Sequence, residues 1–568
     1  MNVFMIEKAY NTDMNRRTLL SLSARTGLLA ALPRVALAAF EAPAETGEAA
    51  ARAVARPTAD QLRWQSLEMG MFVHFGNETY LNGRPSSFSV PPSEVNPVDL
   101  NTDAWAKTAV AAGARYIVFV AKHQYGFCCW QTATTDFSLK NSPWQNGNGD
   151  IMRDLQASCK KFGIGLGVYL SPRDDHFGAA TGGICKTPEE QKKYDAIYRA
   201  QLTELLSQYG EITEVWFDGA TATPVGDLLK KYQPHAAVFQ GPNATIRWVG
   251  NEDGFAPYPC WNGIERAYAE KGTATALDGT PDGDVWLPSE VDVSIRRPDW
   301  FWTPTNANKV LTEEQLLSIY YRSVGRGTQL LLNIPPNPSG LFDAADADVA
   351  ARFGAEIKRR FSNPLAESKN SSTLTLPTPT RIDTVILEEN TTQGERIRAY
   401  RLEGRLDGHW LPLGDGTAIG HKRIQPVTPI GVDAVRLVVT TSVGKPALRR
   451  LAVFHTDVAP PADWNAPSDL WAPDLVGRWK DGHFLLDLHG HTTQAAQYRL
   501  RLIPSDGVVT AITNVVLTLG GAEQPKMLKH VPGKPNELIL DVTGMGDSGT
   551  ISATVEGAPA GQILLGKL

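Results

Sequence analysis

Cysteine is scarce in this chain of 568 residues, and no pair of cysteines has the spacing of a zinc site. The eleven histidines are also scattered, so we expect neither a bound metal nor a cofactor. No long basic run is present and the net charge is −6, which argues against nucleic acid and anionic membranes as partners. One disulfide stays open for an exported protein. The cysteines are Cys128, Cys129, Cys159, Cys185 and Cys260.

A second apolar run of membrane-spanning length is absent beyond the N-terminus, so the sequence predicts no membrane span. Residues 14–40 begin with the pair Arg16 and Arg17, continue with an apolar stretch that Arg25 interrupts, and end in small residues. This order predicts a signal peptide over residues 1–39, and the arginine pair favours a twin-arginine address. We therefore expect an exported protein, periplasmic or extracellular in a bacterium.

A glycine-rich dinucleotide-binding turn is missing too, because no G-x-G-x-x-G follows an early strand. Short apolar runs instead alternate with stretches of helical period, which is typical of a parallel sheet buried on both faces. We predict a (β/α)8 barrel of the TIM type over residues 60–362, with an open doubly wound sheet as the alternative. The apolar runs lie at 69–76, 114–123, 163–172, 214–219, 235–242, 246–252 and 328–336, and the helical stretches at 102–112, 149–162, 187–208, 225–233 and 311–324.

Beyond residue 365 the pattern changes to alternating polar and apolar residues separated by turn signals. Such alternation is typical of antiparallel strands with one buried face. We expect a β-sandwich over 370–456 and, after a proline-rich bridge, a second small β-sandwich over 470–568. The sequence thus predicts a multidomain protein in which the barrel is followed by C-terminal β-sandwich domains.

Polar side chains follow the predicted barrel strands at their ends. The carboxyl ends of the strands of a barrel meet at one rim, and the active site lies there. Each side chain alone has an ordinary structural explanation, such as a solvated turn carboxylate, but stability does not explain all of them at one rim. These residues are His74, Lys122, His123, Tyr169, Asp174, Asp175, His176, Asp218, Arg247, Trp248, Asn251 and Glu252.

Two carboxylates at this rim come from different strands, as the cleavage of a glycosidic bond requires. Asp218 stands between a strand and Gly219, and its short side chain suits a fixed nucleophile. Glu252, on a longer arm, suits the acid/base that protonates the leaving oxygen. Glu290, in "LPSEVDVSIR", competes with Glu252 for that role. With aromatic residues nearby and no phosphate-binding loop, the rim suits a neutral polyhydroxylated ligand.

Several long motifs occur in one order along the predicted barrel: "GMFVHFG", "AKHQYGFCCW", "TDFSLKNSPW", "GIGLGVYLSP", "EVWFDGA", "RWVGNE", "EVDVSIRRPDW" and "LLLNIPPNPSGL". Together they resemble the α-L-fucosidases of glycoside hydrolase family 29. The resemblance implies a retaining enzyme that forms a covalent fucosyl-enzyme on Asp218. The motif "RWVGNE" resembles the branch restricted to α-1,3- and α-1,4-linked fucose, in which Glu252 is the acid/base; the other branch places that residue near Glu290. The implied partner is a fucosylated oligosaccharide or glycoprotein glycan.

The substrate-binding residues follow partly from this resemblance and partly from the rim. The family's usual "KHHDGF" is here "KHQYGF", so that Gln124 replaces a histidine and Tyr125 an aspartate, and Gln124 still offers hydrogen bonds to a hydroxyl. An apolar slot is expected for the C6 methyl group of fucose, and Phe72, Phe75 and Trp302 are the candidates for it. The predicted substrate-binding residues are His74, His123, Gln124, Trp130, Tyr169, Arg247 and Trp302.

Two other functions stay open. One is a protein that binds fucosylated glycans without cutting them, and the other is a retaining exo-glycosidase for a different sugar. The sandwich over 370–456 resembles the galactose-binding-like modules that accompany this branch, and sugar binding and packing are alternative roles for it.

Overall fold

The computed structural model describes residues 54–567 apart from 86–87, 270–278, 463–473 and short stretches of the last domain. Those stretches are 489–495, 505–507, 520–521, 526–527, 532–534 and 543–548. The signal peptide predicted over residues 1–39 lies outside the described residues.

Eight parallel strands form the sheet of the first domain. The first strand pairs with the second and also with the eighth, where Met69 lies beside Leu330. A parallel bridge from Phe239 to Ile246 joins the fifth strand to the residue that precedes the sixth, and this closes the ring. The predicted barrel is therefore confirmed. The eight strands are Met69–Val73, Tyr116–Lys122, Gly165–Leu170, Glu214–Trp216, Ala237–Phe239, Arg247–Trp248, Ser289–Ser294 and Gln329–Asn333.

Helices alternate with these strands along the chain, and their ends follow local rules. The side chains of Asn101 and Asp150 each cap a helix by accepting a hydrogen bond from a backbone N–H of the first turn. Gly113 ends the first of these two helices with a φ of 94°, a left-handed conformation that glycine adopts without strain. In the described residues the α-helices of this domain are Ala59–Gln65, Thr102–Ala112, Ile151–Phe162, Pro188–Gln208, Gly226–Tyr232, Arg266–Ala269, Glu313–Arg322 and Ala344–Phe361.

The strand Ser289–Ser294 and the helix Ala344–Phe361 are among the elements that are not visible in the hydrophobic pattern. The strand alternates apolar residues with Glu290 and Asp292, whereas strands of a parallel barrel are usually continuous apolar runs. Its acidic residues are nevertheless buried. The sixth strand is only two residues long, so Glu252 stands in the loop that follows it rather than in a strand.

The second domain is an antiparallel sheet of six strands. Its two longest strands, Thr373–Glu389 and Arg423–Ser442, pair with each other through two shifts of register. The remaining strands are Ala366–Lys369, Ile397–Leu406, His409–Gly416 and Leu448–Phe454. The predicted antiparallel character is confirmed, whereas the likeness to galactose-binding modules stays a prediction.

The last domain contains a five-stranded and a four-stranded antiparallel sheet. Side chains from both sheets share one apolar core, as in a two-layered β-structure. Its strands in the described residues are Asp474–Trp479, His483–Asp487, Ala496–Pro504, Ala511–Leu519, Ala522–Glu523, Leu528–His530, Glu537–Val542, Gly549–Glu556 and Gly561–Lys567.

All five cysteines lie in the described residues and all are free thiols, so the disulfide that the sequence left open is not formed. None of the helices in the described part of the chain combines the length and apolar character needed to cross a membrane.

Candidate active site

A cavity of about 260 Å³ opens where the barrel strands end. Most of its wall comes from the last residues of strands one to seven and from the loops directly after them. This is the end of a parallel barrel at which active sites are built. The lining residues are Phe72, His74, His123, Gln124, Tyr169, Trp216, Asp218, Phe239, Gln240, Trp248, Glu252, Asp292 and Trp300.

Asp218 follows the fourth strand by two residues, and its carboxylate is exposed to the cavity. The hydroxyl of Tyr169, at the end of the third strand, donates a hydrogen bond of 2.9 Å to Asp218 Oδ2. Burial, and then the charge of Asp218, raise the pKa of Tyr169 well above its usual value. The phenol therefore keeps its proton and acts as a donor that orients the carboxylate.

The turn after Asp218 is built to hold this side chain in place. Gly219 has a φ of 76°, which explains why glycine follows the aspartate. Gln240, at the end of the neighbouring fifth strand, accepts hydrogen bonds from the backbone N–H of Gly219 at 2.8 Å and of Ala220 at 3.3 Å. A side chain at the end of the fifth strand thus holds the loop that follows the fourth strand.

Glu252 is exposed in the loop after the sixth strand and lines the same cavity as Asp218. The indole Nε1 of Trp300 donates a hydrogen bond of 3.2 Å to Glu252 Oε2. The guanidinium of Arg297 donates to the carbonyl oxygen of Glu252 and forms an ion pair with Asp253. Residues after the seventh strand therefore hold both the backbone and the carboxylate of Glu252.

Two histidines present imidazole rings to the cavity. His74 Nδ1 lies 2.8 Å from Asn333 Oδ1, and the Asn333 amide nitrogen donates to the Trp300 carbonyl at 2.8 Å. That orientation makes His74 Nδ1 the donor and leaves its Nε2 as an acceptor for a ligand hydroxyl. Burial, followed by the charge of His123, lowers the pKa of His74 well below its usual value. His123 Nδ1 lies 2.8 Å from the buried carboxylate of Glu78.

Gln124 also lines the cavity, at the position where the resembling family usually has a histidine. Arg173 donates a hydrogen bond of 3.0 Å to Gln124 Oε1 and two more to the carboxylate of Asp175. Because the oxygen of Gln124 bonds Arg173, its amide nitrogen is the atom that offers a hydrogen bond to a ligand.

Aromatic rings form the apolar part of the wall. Trp216 and Phe239 stack with their ring centroids 3.5 Å apart, and Phe72 lies 4.9 Å from Trp216. Trp300 lies 5.0 Å from the ring of His74. Phe72 is the one candidate for the methyl slot that lines the cavity, since Phe75 belongs to the apolar core.

The sequence patterns do not reveal Asp292 as a site residue. It is 5% exposed, lines the cavity, and accepts a hydrogen bond of 2.5 Å from Trp248 Nε1. The available signal is the alternation in "EVDVS", because a strand places every second residue on one face. Glu290 and Asp292 share that face, and Asp292 is the one nearer the carboxyl end. Gln240, Trp216 and Trp300 are likewise revealed only by the structure.

Four of the predicted catalytic and substrate-binding residues do not line the cavity, and neither do five of the other residues predicted at the rim: Lys122, Asp174, Asp175, His176 and Asn251. Trp130 is fully buried and donates to Glu204 at 2.8 Å. The guanidinium of Arg247 is buried and donates to the Trp261 carbonyl at 2.7 Å. Trp302 donates to Asp343 at 2.7 Å. The fourth residue is Glu290.

Glu290 is 0% exposed and lies deeper in the barrel than the cavity. It accepts hydrogen bonds from Trp216 Nε1 at 3.0 Å and from the Tyr116 hydroxyl at 3.2 Å, and it is hydrogen-bonded to Glu214. Burial, and then the charge of Glu214, raise the pKa of Glu290 well above its usual value. Glu290 thus does not share the cavity that Asp218 and Glu252 line.

The donor set of the cavity is that of a hydroxyl-binding site. The cavity wall combines carboxylates, imidazoles, amides and indoles with apolar aromatic rings. This mixture suits a single sugar ring, which has hydroxyl groups as well as an apolar face. Among the described residues, no three His, Cys, Asp or Glu side chains are grouped so that they could hold a metal ion.

Comparison with known proteins shows the family to which the chain belongs. A family model described as "Alpha-L-fucosidase" matches residues 50–360. The chain is 36% identical over 423 residues to alpha-L-fucosidase 1 of Arabidopsis thaliana, which covers 65% of this chain and 81% of the relative.

Solved structures extend the similarity to the fold. A glycoside hydrolase 29 family member from an unknown rumen bacterium is similar with a TM-score of 0.64 and 27% identity, over 89% of this chain and 97% of the other. A Ruminococcus gnavus GH29 fucosidase, solved in complex with fucose, is similar with a TM-score of 0.62 and 28% identity, over 72% and 97% of the two chains. On the strength of its barrel, its cavity and these matches, the chain belongs to the α-L-fucosidase family, glycoside hydrolase family 29.

Proposed function

We propose that this α-L-fucosidase releases terminal α-1,3- and α-1,4-linked L-fucose from glycans with retention of configuration. The observation that carries the proposal is the pair of exposed carboxylates, Asp218 and Glu252, which reach one cavity from different strands. Retaining glycosidases need such a pair about 5–5.5 Å apart. The cavity is smaller than the ≈ 300–1,000 Å³ pockets that hold drug-sized ligands, which favours a single terminal sugar.

In the first half of the proposed reaction, Asp218 attacks the anomeric carbon while the bond to the glycosidic oxygen breaks. The hydrogen bond from Tyr169 holds Asp218 Oδ2, so that the carboxylate is oriented before the attack. Glu252 donates its proton to the departing oxygen, and a fucosyl-aspartate remains.

In the second half, Glu252 takes a proton from water, which attacks the same carbon and releases fucose and the free carboxylate of Asp218. His74 Nε2 and the Gln124 amide nitrogen are proposed to bind fucose hydroxyls. Phe72 and Trp216 are proposed to face the C6 methyl group. The linkage preference is supported by the likeness of "RWVGNE" to the α-1,3/1,4 branch.

The test is fucose release from α-1,2-, α-1,3-, α-1,4- and α-1,6-fucosylated oligosaccharides by the wild type, Asp218→Ala and Glu252→Ala. We expect release from the 1,3 and 1,4 linkages only, and its loss in both variants. On an aryl fucoside with a good leaving group, Glu252→Ala should keep most of its kcat/KM, because that phenolate departs without protonation. Proton NMR of the first product should show the α-anomer.

Other outcomes would assign a different function. Release from all four linkages would remove the branch assignment, and a first product of β configuration would remove the covalent intermediate. Tight binding of fucosylated glycans without turnover would favour a binding protein. Activity on another glycoside instead of fucosides would favour an exo-glycosidase of different specificity.

We also propose that the protein is exported through the N-terminal segment that contains Arg16 and Arg17. The test is fractionation of cells that express the full chain, with mass spectrometry of the N-terminus. We expect processed protein outside the cytoplasm, and its retention inside when both arginines are changed to lysine. Unprocessed cytoplasmic protein from the wild type would contradict the proposal.

A further inference from the structure

The loop that carries Glu252 runs from the sixth barrel strand to a short pair of strands, Gly263–Ile264 and Val285–Trp286. Barrel residues hold its first part, where the Ala256 backbone N–H donates to the Arg322 carbonyl at 2.9 Å. Its later part, residues 258–262, also contacts the second domain, whose six-stranded sheet makes it the antiparallel domain named here. The loop that presents a catalytic group is thus attached to two domains.

Glu395 of the antiparallel domain makes the most direct of these contacts. Its side chain is 3% exposed, and its Oε2 and Oε1 accept hydrogen bonds from the Asn262 backbone N–H at 2.9 Å and from Asn262 Nδ2 at 2.8 Å. The Asn262 carbonyl oxygen accepts from the Leu287 N–H at 2.8 Å. A buried carboxylate that accepts two hydrogen bonds from one residue fixes both its backbone and its side chain.

Tyr258 makes a second contact four residues earlier in the loop. Its hydroxyl accepts a hydrogen bond from the Thr417 N–H at 2.9 Å and donates one to the Ala418 carbonyl at 3.0 Å. The guanidinium of Arg423 lies 4.1 Å from the centre of its ring. All three partners belong to the antiparallel domain or to the turns between its strands.

Arg247 and Trp261 complete the attachment. Arg247, in the sixth strand, donates to the Trp261 carbonyl, and Arg398 of the antiparallel domain lies 5.0 Å from the Trp261 ring. Arg247 is therefore placed as a support of the loop. Burial raises the pKa of Glu395, and the hydrogen bonds from Asn262 and the charges of Arg398 and Arg247 oppose that rise.

We propose that Glu395, with Tyr258, positions the acid/base Glu252 by attaching its loop to the antiparallel domain. The domain then has a role in the reaction without itself touching the sugar. The inference rests on the proposed function, in which Glu252 protonates the leaving oxygen. Proton transfer needs the donor within about 2.6–3.2 Å of the oxygen. A loop that no longer holds Glu252 at this distance therefore impairs proton transfer more than it impairs fucose binding.

The test compares two substrates whose leaving groups differ in their need for a proton. One is a fucosylated oligosaccharide that the wild type cleaves, and the other is 2-chloro-4-nitrophenyl α-L-fucoside. The variants are Glu395→Ala, Tyr258→Phe, Glu252→Ala and a control, Asp383→Asn. Asp383 is a buried carboxylate of the same domain whose hydrogen bonds go to Thr456 and His455 rather than to the loop.

For Glu395→Ala we expect kcat/KM on the oligosaccharide to fall about 10- to 100-fold, the scale of a displacement near 1 Å. On the aryl fucoside it should fall less than about threefold, since the phenolate needs little protonation. Tyr258→Phe should show the same selectivity with a smaller loss. Azide should raise kcat of Glu395→Ala on the aryl fucoside, because azide attacks the fucosyl-enzyme without a general base. Asp383→Asn should change kcat/KM by the same factor on both substrates.

An equal fall on both substrates in Glu395→Ala and Tyr258→Phe, or no fall in either, would overturn the inference. If Glu395→Ala does not fold, Tyr258→Phe decides alone, because it removes one hydroxyl and keeps the ring. Glu252→Ala separates the two levels of the argument. If that variant shows no selectivity, the proposed function has failed; if it is selective and the loop variants are not, only the role of the antiparallel domain has failed.

Discussion

The two buried carboxyl groups inside the barrel, Glu214 and Glu290, should respond differently to the same change to glutamine. Glu214 uses both oxygens as acceptors, for Trp64 Nε1 at 2.7 Å and for Trp216 Nε1 at 2.6 Å. A glutamine has one acceptor oxygen, so Glu214→Gln turns an amide NH2 toward one indole N–H. A buried donor without its acceptor costs about 1–3 kcal/mol, and we expect a loss of stability of that size at pH 5. The loss should be smaller at pH 8, because the variant also removes the raised pKa of Glu214.

Glu290→Gln should instead be close to neutral in acid. Glu290 is hydrogen-bonded to Glu214 and its pKa is raised well above its usual value, first by burial and then by the charge of Glu214. It is therefore the protonated member of the pair and the donor to Glu214. The amide of a glutamine has nearly the same shape and donates in the same direction, while its oxygen still accepts from Trp216. The Tyr116 hydroxyl, which donates to Glu290 Oε2 in the wild type, can rotate and accept from the amide NH2 instead.

The pH dependence has a definite sign. Burial raises the pKa of Glu214 from 4.5 to about 7, and that of Glu290 also rises. As pH rises above 4.5 the unfolded chain releases protons that the folded chain retains, so wild-type stability falls. At about 1.4 kcal/mol per pKa unit, the raised pKa of Glu214 lowers the free energy of unfolding by at most about 3 kcal/mol between acid and alkaline pH. Glu290→Gln removes the part of this pH-dependent loss that comes from Glu290. The stability of the variant, measured relative to the wild type, should therefore increase from pH 5 to pH 8.

The assay is urea unfolding, followed by tryptophan fluorescence, of the wild type and both variants at pH 5, 6, 7 and 8. The matched control is Glu211→Gln, an exposed carboxylate near the same strand, which should follow the wild type at each pH. The reasoning fails if Glu290→Gln is as destabilising as Glu214→Gln at pH 5, or if its difference from wild type is the same at pH 8. Selective loss of oligosaccharide cleavage in Glu290→Gln would make Glu290 the acid/base.

Two further predictions concern the cavity. Tyr169→Phe should lower kcat/KM about 10- to 100-fold, because a hydrogen bond to a charged group is worth about 1.5–3 kcal/mol, and equally on aryl and oligosaccharide substrates because it acts on Asp218. The control Tyr198→Phe, whose hydroxyl bonds a backbone carbonyl, should stay within about threefold of wild type; a loss as large there would contradict the assignment. Burial, and then the charge of His123, lower the pKa of His74 well below its usual value, so we expect the neutral imidazole to be the form that binds the sugar near pH 7. His74→Gln should therefore lower kcat/KM without moving the acidic limb of its pH profile, and a moved limb would show that His74 titrates there.

Where the location of a side chain follows from one strand and its end, the sequence was sufficient to place it at the cavity. Asp218 could be identified because an apolar run, an aspartate and a glycine follow one another, and the left-handed φ of Gly219 is the local reason for that order. His74, His123 and Tyr169 come from the ends of similar runs. The five helical stretches named from the sequence all occur as helices, because a helical period is a property of neighbouring residues.

Where depth decides, the sequence was not sufficient. Glu290 and Asp292 point to the same side of one strand, and alternation alone does not tell which of them reaches the cavity. The neighbouring eighth strand does, because Glu290 lies beside Gln329, its first residue, whereas Asp292 lies beside Leu331, two residues nearer the carboxyl end; Glu290 therefore belongs to a deeper layer of the barrel. The same limit applies to Trp300 and Trp302, which a loop turns toward different partners.

The sequence by itself determined the parallel barrel, the antiparallel character of the following domains and the two carboxylates of the proposed reaction. All of these depend on periodicity and on motifs within short stretches of chain. Only the tertiary structure decided that Gln240 holds the turn after Asp218, that Arg247 supports a loop, and that Glu395 binds Asn262 across 133 positions of sequence. Hydrogen bonds between distant residues depend on strand register and domain packing, which no local pattern contains.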